Sequence, residues 1–184
     1  FEQNMFITER DFFQIFNYKF LAGVKDHIFE NPNELVITSS LADKFAAIKT
    51  CKREDLIGES VLFKNLPDQP FKITGIIEDV PENSSLDFDA LIPLKYQEAF
   101  NRSNNWFGNS TIFYETDKNE NTASVENIVV SLIKEYYHNL VEELKNDNIL
   151  LDTPEACSPF ALPVSDVYLS GVSTDYERSN NNTK

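Results

Sequence analysis

Side chains that could carry out chemistry are few and scattered in this sequence of 184 residues. The two histidines, His27 and His138, fall on unrelated predicted elements, a loop and a helix, which is a poor basis for a catalytic triad or a metal site. The nucleophile elbow GxSxG, the zinc motif HExxH and a glycine-rich phosphate loop do not occur. We therefore predict no catalytic residue, no cofactor and no enzymatic activity.

The densest group of potential metal ligands is acidic and comprises Glu78, Asp79, Glu82, Asp87 and Asp89. Calcium binds several carboxylate oxygens together, but this group lacks the alternating ligands and the central glycine of an EF-hand loop. A solvated loop is therefore favoured over a calcium site, and we predict no metal ligand.

The two cysteines, Cys51 and Cys157, lie far apart in sequence, and neither belongs to a CxxC pair that would indicate zinc. Two unrelated thiols are favoured. A disulfide is the alternative, and it requires the fold to bring their Cα atoms within about 7 Å.

Composition narrows the class of protein. There are 16 Lys and Arg against 30 Asp and Glu, so the net charge is −14, which argues against nucleic acid as a partner because that requires clustered basic residues. The hydrophobic fraction of 41%, with 15 Phe, is enough for a core, while no apolar run reaches the length of a membrane span. The abrupt start at Phe1 and the polar tail over 179–184 favour a piece excised from a longer protein; a mature chain after signal cleavage is the alternative.

Hydrophobic periodicity predicts strands and helices that do not alternate strictly, which is typical of the α+β class. Strands are predicted at 5–8, 18–21, 35–38, 88–94, 111–115 and 160–169, with a hairpin over 60–80, a turn at 66–70 and a surface connection over 47–55. Thr8 is predicted to cap a first helix, and Ser39 or Ser40 a second one that carries Leu41, Ala42, Phe45 and Ala46 on one face.

The clearest predicted helix spans 122–144, where apolar residues follow the i, i+3, i+4, i+7 rule. We predict that it lies against the core, with a partner-binding helix as the alternative. The order of elements suggests two βαβ-like halves, 1–95 and 111–184.

Six residues outside any catalytic pattern are candidates for structural or binding roles. Gly75 inside a strand predicts a bulge or a close backbone approach. Pro81, Asn83 and Ser84 are predicted to shape the following loop, because Asn and Ser side chains can bond to nearby backbone groups. Trp106 and Phe107 are candidate partner contacts, with capping of a core as the alternative.

Five sets of segments, in order along the chain, follow the pattern of one family. They are residues 9–16 with 20–23 (ERDFFQIF and FLAG), 33–45 (NELVITSSLADKF), 56–61 (LIGESV), 71–89 (FKITGIIEDVPENSSLDFD) and 160–169 (FALPVSDVYL). Together they resemble the MacB-like periplasmic core domain. The most distinctive is 71–89, which is similar to the family pattern G-V-x-x-D-x-P-x-N-S-H-x-x-F-D. Two positions depart from the family: Ala46 stands where Gly is usual, and Ser85 replaces a frequent His.

The resemblance implies a single extracytoplasmic domain over 1–184, excised from between two transmembrane helices of an ABC-transporter permease. The expected fold is a porter-like pair of βαβ subdomains with mixed sheets and one long amphipathic helix. The expected location is the periplasmic side of the bacterial inner membrane.

The resemblance also implies a function. ATP would be hydrolysed by a separate cytoplasmic subunit, and this domain would transmit the resulting movement so that a substrate is exported or extracted. The implied partners are the flanking transmembrane helices, that ATPase, and a second permease copy or a periplasmic adaptor, with no nucleic acid. The alternative is a stand-alone extracytoplasmic ligand-binding or sensor domain, which would need a deep pocket with converging polar groups.

Overall fold

The computed structural model describes residues 4–64, 66–84, 86–96, 112–116, 123–132, 162–163 and 166. The chain forms two compact units. The first contains Phe1–Tyr114 and Gly171–Lys184, and the second contains Glu115–Ser170. The sheet and both core clusters described below belong to the first unit.

The described part of the chain contains a mixed sheet of six strands. They are β1 (Met5–Thr8), β2 (Phe20–Gly23), β3 (Glu34–Thr38), β4 (Ser60–Phe63), β5 (Leu66–Ile77) and β6 (Ala90–Pro93). The order is β1-β6-β3-β5-β2, with β4 also paired to β5. The pairs β1/β6 and β3/β5 are parallel and the other three pairs are antiparallel. The predicted α+β class is therefore confirmed.

Helix α2 (Ser39–Lys49) covers one face of the sheet. Its buried residues Leu41, Ala42 and Ala46 join a core cluster with Leu35 and Ile37 of β3. Phe45 is half-buried at the edge of the same cluster. The apolar face predicted for this helix is thus confirmed, and it packs as expected for a helix with apolar residues at i, i+3 and i+4 spacing.

The opposite face of the sheet is covered by aromatic rings. The short helix α1 (Phe12–Ile15) places Phe12 and Phe13 in a second core cluster, together with Val36 of β3 and Phe88. Phe12 packs edge-on against Phe13, with ring centroids 5.4 Å apart. Because successive side chains of a strand point to opposite faces, β3 supplies Leu35 and Ile37 to one cluster and Val36 to the other, so this central strand is buried on both sides.

A bulge in β5 changes which of its residues face each cluster. In the β3/β5 register, Leu35 pairs with Ile73 and Val36 with Gly75, so Thr74 is passed over. Beyond this shift, Ile76 joins the same cluster as Ile73, although strict alternation would send it to the other face.

Gly75 itself lies where side chains from both neighbouring strands, β2 and β3, come close to β5. A Cβ atom there would lie 2.9 Å from Phe20 Cε1 and 3.2 Å from Val36 Cγ2. The register shift is the bulge, one of the two alternatives that the sequence offers at this glycine, and the atoms nearest to the added Cβ belong to side chains.

Three local predictions are wrong at the boundaries of elements. Thr8 is the last residue of β1, and α1 begins after Asp11 instead. The N-cap of α2 is Thr38, and it makes no side-chain capping bond. The segment 66–70 is not a turn: Leu66 already pairs with Phe63, so the hairpin reverses earlier and β5 includes these residues.

The predicted surface connection over 47–55 is also shorter than expected. Helix α2 runs to Lys49, and a 3₁₀ turn occupies Arg53–Leu56. Arg53 forms a two-point ion pair with Asp43 of α2, with Nε 2.8 Å from Oδ1 and Nη2 2.7 Å from Oδ2. This pair holds the 3₁₀ turn against the helix.

The predictions for the C-terminal part are tested only in places. Residues 112–116 form no strand, contrary to prediction. Residues 123–132 are helical, and the rest of the predicted helix 122–144 lies outside the described residues. Ile128 and Leu132 are 60% and 61% exposed, so the expected burial of that whole apolar face is not found over the described turns. Most of the predicted segment 160–169 also lies outside the described residues.

Candidate functional site

The segment between β5 and β6, residues 78–89, is the candidate functional site and is called the junction loop below. It begins after Ile77 and ends before Ala90, and it is described except for Ser85. The loop contains the acidic group and three of the candidate residues, namely Pro81, Asn83 and Ser84.

Asp79 caps helix α2 from outside the helix. Ser40 donates its backbone N–H to Asp79 Oδ1 at 2.7 Å and its hydroxyl to Oδ2 at 2.9 Å. The first N–H groups of a helix have no partner within it, so a carboxylate there satisfies a donor and also interacts favourably with the helix dipole. The sequence pattern assigns this cap to Ser39 or Ser40, because a partner 39 residues away along the chain leaves no local signal.

The electrostatics of Asp79 fit that role. Partial burial raises its pKa, but the backbone N–H of Ser40 and the hydroxyls of Ser39 and Ser40 lower it, with help from the nearby charge of Arg53. The net effect is a pKa below the usual range. The carboxylate is therefore held in its charged form, which is the form that accepts these hydrogen bonds.

The two ends of the junction loop are bound to the N-terminal part of the chain. At its start, Glu78 donates its N–H to Lys19 O at 3.0 Å and accepts the Lys19 N–H on Oε1 at 3.2 Å. At its end, Asp89 accepts the Asn4 N–H on Oδ2 at 3.1 Å and donates its own N–H to Asn4 O at 2.8 Å. These bonds attach the residue before β1 and the residue before β2 to the same loop.

Within the loop, Pro81 and Ser84 close a turn. Ser84 donates its N–H to Pro81 O at 2.9 Å, and Ser84 Oγ accepts the N–H of Leu86 at 3.1 Å. The Ser84 side chain also bonds to Tyr18. Burial raises the pKa of Tyr18, the bond to Ser84 opposes that rise, and the charge of Glu78 adds to it. Ser84 therefore joins the loop to the segment before β2, while Asn83 lies exposed at the tip of the turn.

Apolar packing holds the C-terminal half of the loop in place. Leu86 and Phe88 are buried in the second core cluster, which also contains Phe12 and Phe13. The ring of Phe88 lies 5.4 Å from Phe6, 5.8 Å from Phe12 and 5.6 Å from Tyr18, measured between centroids. Aromatic pairs at these separations add to the free energy of area burial. The loop is thus fixed by both hydrogen bonds and packing.

The acidic residues of the loop are used in separate places. The carboxylates of Glu78, Asp79 and Asp89 accept N–H groups from three different segments, which favours the structural interpretation over a shared cation site. Among the described residues, no group of three or more His, Cys, Asp or Glu side chains is placed to hold a metal ion.

The remaining sequence candidates do not meet at one place. Gly75 lies within β5, two residues before that strand ends. Trp106 and Phe107 lie outside the described residues, as do His138 and Cys157. Cys51 is a half-buried free thiol. His27 lies on the surface, with Nδ1 3.0 Å from Glu30 Oε1.

Comparison with known proteins identifies the fold. A domain of a permease protein from Porphyromonas gingivalis, solved by crystallography, aligns with a TM-score of 0.55 at 25% sequence identity. The alignment covers 73% of this chain and 55% of that one, so the present chain spans about half the length of this structural relative. A search of curated proteins finds no significant match. Over the described residues, no helix is both long and apolar enough to span a bilayer.

The family described as the MacB-like periplasmic core domain matches residues 2–132, which is more than half of the chain. The matched region contains the sheet, both core clusters and the whole junction loop. The chain therefore belongs to the family of MacB-like periplasmic core domains.

Proposed function

We propose that this chain is the extracytoplasmic domain of an ABC-transporter permease subunit and lies between two transmembrane helices of that subunit. The observation that carries the proposal is the family match over residues 2–132. The structural relative, which is a domain of a permease protein, supports the same assignment. The location that follows is the periplasmic side of the bacterial inner membrane.

The proposed role is mechanical rather than catalytic. A separate cytoplasmic subunit hydrolyses ATP, and the transmembrane helices carry the resulting movement to this domain, which then acts on a second permease copy or on a periplasmic adaptor. The junction loop supports this role because it attaches the start of β1, the start of β2 and helix α2 to one another. A displacement of the chain entering β1 would then be passed through this loop to β2 and α2.

The parent gene tests the assignment directly. We expect apolar spans of about 20 residues immediately before Phe1 and after Lys184, and a neighbouring gene for an ATPase. A lone signal peptide before Phe1 with a stop codon after Lys184 would instead favour the stand-alone ligand-binding or sensor domain.

Movement can be measured in the full-length permease, assembled with its ATPase in lipid nanodiscs. A spin label on Lys44→Cys, an exposed position of α2, would be introduced after Cys51 and Cys157 are replaced by Ser. We expect the distance between labels on two copies to differ between the ATP-bound and nucleotide-free states. An ATPase variant that cannot bind ATP is the control, and an identical distance in every state would contradict the mechanical role.

A further inference from the structure

A continuous set of hydrogen bonds runs from the start of β1 to the first turn of α2. Asn4 and Asp89 are joined by two bonds, at 3.1 and 2.8 Å. The backbone carbonyl of Asp89 accepts the N–H of Thr38 at 2.9 Å, and Thr38 is the N-cap of α2. Two residues later, Ser40 is bonded to Asp79 at 2.7 and 2.9 Å. Each bond therefore shares a residue, or a near neighbour along the chain, with the next.

The parallel direction of β1 and β6 allows a force along the axis of β1 to be transmitted through these hydrogen bonds. Strands β1 and β6 are parallel and pair over four residues, and β6 is held on its other side by β3. A displacement along the axis of β1 strains its bonds to β6 together, in shear, rather than opening them one at a time. Asp89 precedes β6 and bonds both Asn4 and Thr38, so it receives that displacement first.

The first turn of α2 offers a second state that such a displacement could populate. Its N-cap Thr38 makes no side-chain capping bond, and the carboxylate that binds Ser40 comes from the junction loop. When the loop moves away from the helix, the Ser40 N–H loses its acceptor and the first turn frays.

We propose that Asn4, Asp89, Thr38, Ser40 and Asp79 form a relay that couples the attachment of β1 to the order of the α2 N-terminus. The coupling is a property of this chain alone. Its use in transport rests on the proposed function, in which the transmembrane helix before the domain moves β1.

Amide exchange measured by NMR on the 184-residue chain tests the relay. Asp89→Ala removes the side-chain acceptor of the Asn4 N–H but leaves the backbone bonds from Asp89 and Ala90 to Asn4 O. We expect exchange at the Ser40 amide to rise about tenfold relative to the amide of Val36 in the sheet core. Asp89→Asn keeps an uncharged acceptor and should give a smaller rise. Asp26→Ala, an exposed carboxylate outside the junction loop, is the matched control and should leave the ratio unchanged.

Coupling is reciprocal, so the experiment can be run from the other end. Asp79→Ala should increase exchange at the Asn4 and Asp89 amides relative to Val36. If Asp89→Ala loosens Asn4 while the Ser40 ratio stays at its wild-type value, the relay does not exist. A rise shared equally by Val36 is global unfolding and counts against the relay as well. None of these outcomes alters the test by flanking sequence or the nanodisc measurement, so failure of the relay and failure of the proposed function are distinguishable.

Discussion

Two glycines with the same backbone conformation test how closely β2 and β5 approach each other. Gly23 has φ +85° and Gly58 has φ +90°, so alanine is strained at both positions by about 1–2 kcal/mol. Their surroundings differ. A Cβ atom on Gly23 would lie 2.3 Å from the carbonyl oxygen of Thr74 and 2.9 Å from Gly75 Cα, both backbone atoms. A Cβ atom on Gly58 meets only the flexible end of Lys72, at 3.9 Å.

The structure therefore predicts different costs for the same substitution. Gly58→Ala introduces the backbone strain, which is partly offset by about 0.4–1 kcal/mol because the unfolded chain becomes less flexible, and we expect a net loss of stability of about 1 kcal/mol. Gly23→Ala adds a clash that only separation of β2 from β5 can relieve, which raises the expected loss by about 1–3 kcal/mol more. Gly75→Ala, which lacks the positive φ but clashes with Phe20, should fall between them, at about 1–2 kcal/mol.

Equilibrium unfolding in urea, followed by far-UV circular dichroism, measures these losses. The three variants should unfold with similar m-values, because a single methyl group changes the exposed surface little. The reasoning is refuted if Gly58→Ala and Gly23→Ala lose equal stability. In that case the positive φ would account for both costs, and the close contact between β2 and β5 would contribute nothing.

Three further predictions concern the junction loop and the candidate contact residues. Asp79→Asn should cost about 1 kcal/mol of stability near neutral pH, because the helix cap is weakened. Since the folded pKa of Asp79 is lowered, the difference in stability from wild type should be present above the unfolded pKa of about 4 and vanish as the pH falls through the folded pKa. Urea unfolding at several pH values measures this difference. Ser84→Ala should raise the pKa of Tyr18 further, because the bond that opposes the effect of burial is lost, and an unchanged ultraviolet titration would contradict that bond. Alanine at both Trp106 and Phe107 should leave the thermal midpoint near wild type if these residues contact a partner, whereas a large drop would assign them to a core.

Elements governed by local periodicity were predictable from the sequence. The buried strand β3, the hairpin of β4 and β5, and the apolar face of α2 all follow from the spacing of apolar residues over short windows. For Gly75 the sequence left two alternatives, because glycine within a strand indicates either a bulge or a close backbone approach, and the register shift beside Gly75 is a bulge.

Features that depend on distant partners were not predictable from local pattern. Ser39 and Ser40 have the right type and position for an N-cap, yet the structure gives the capping role to a carboxylate of the junction loop. The segment 66–70, with two prolines, has the composition of a turn, but pairing with β4 extends β5 through it. In both cases a tertiary contact replaced the local solution that the sequence pattern indicated.

The acidic residues of the junction loop show how the candidate site could be found but not interpreted. Their clustering marked the segment, and the choice between a solvated loop and a cation site turned on ligand spacing alone. In the structure each carboxylate bonds to a different segment: Asp79 bonds to α2, Glu78 to Lys19, and Asp89 to Asn4. Carboxylates that each accept a backbone N–H from a different segment stabilise a junction, and removing any one charge should loosen only its own contact unless the contacts are coupled. The reciprocal exchange measurement on Asp79 and Asp89 therefore decides whether the contacts of this loop are independent of one another or energetically coupled.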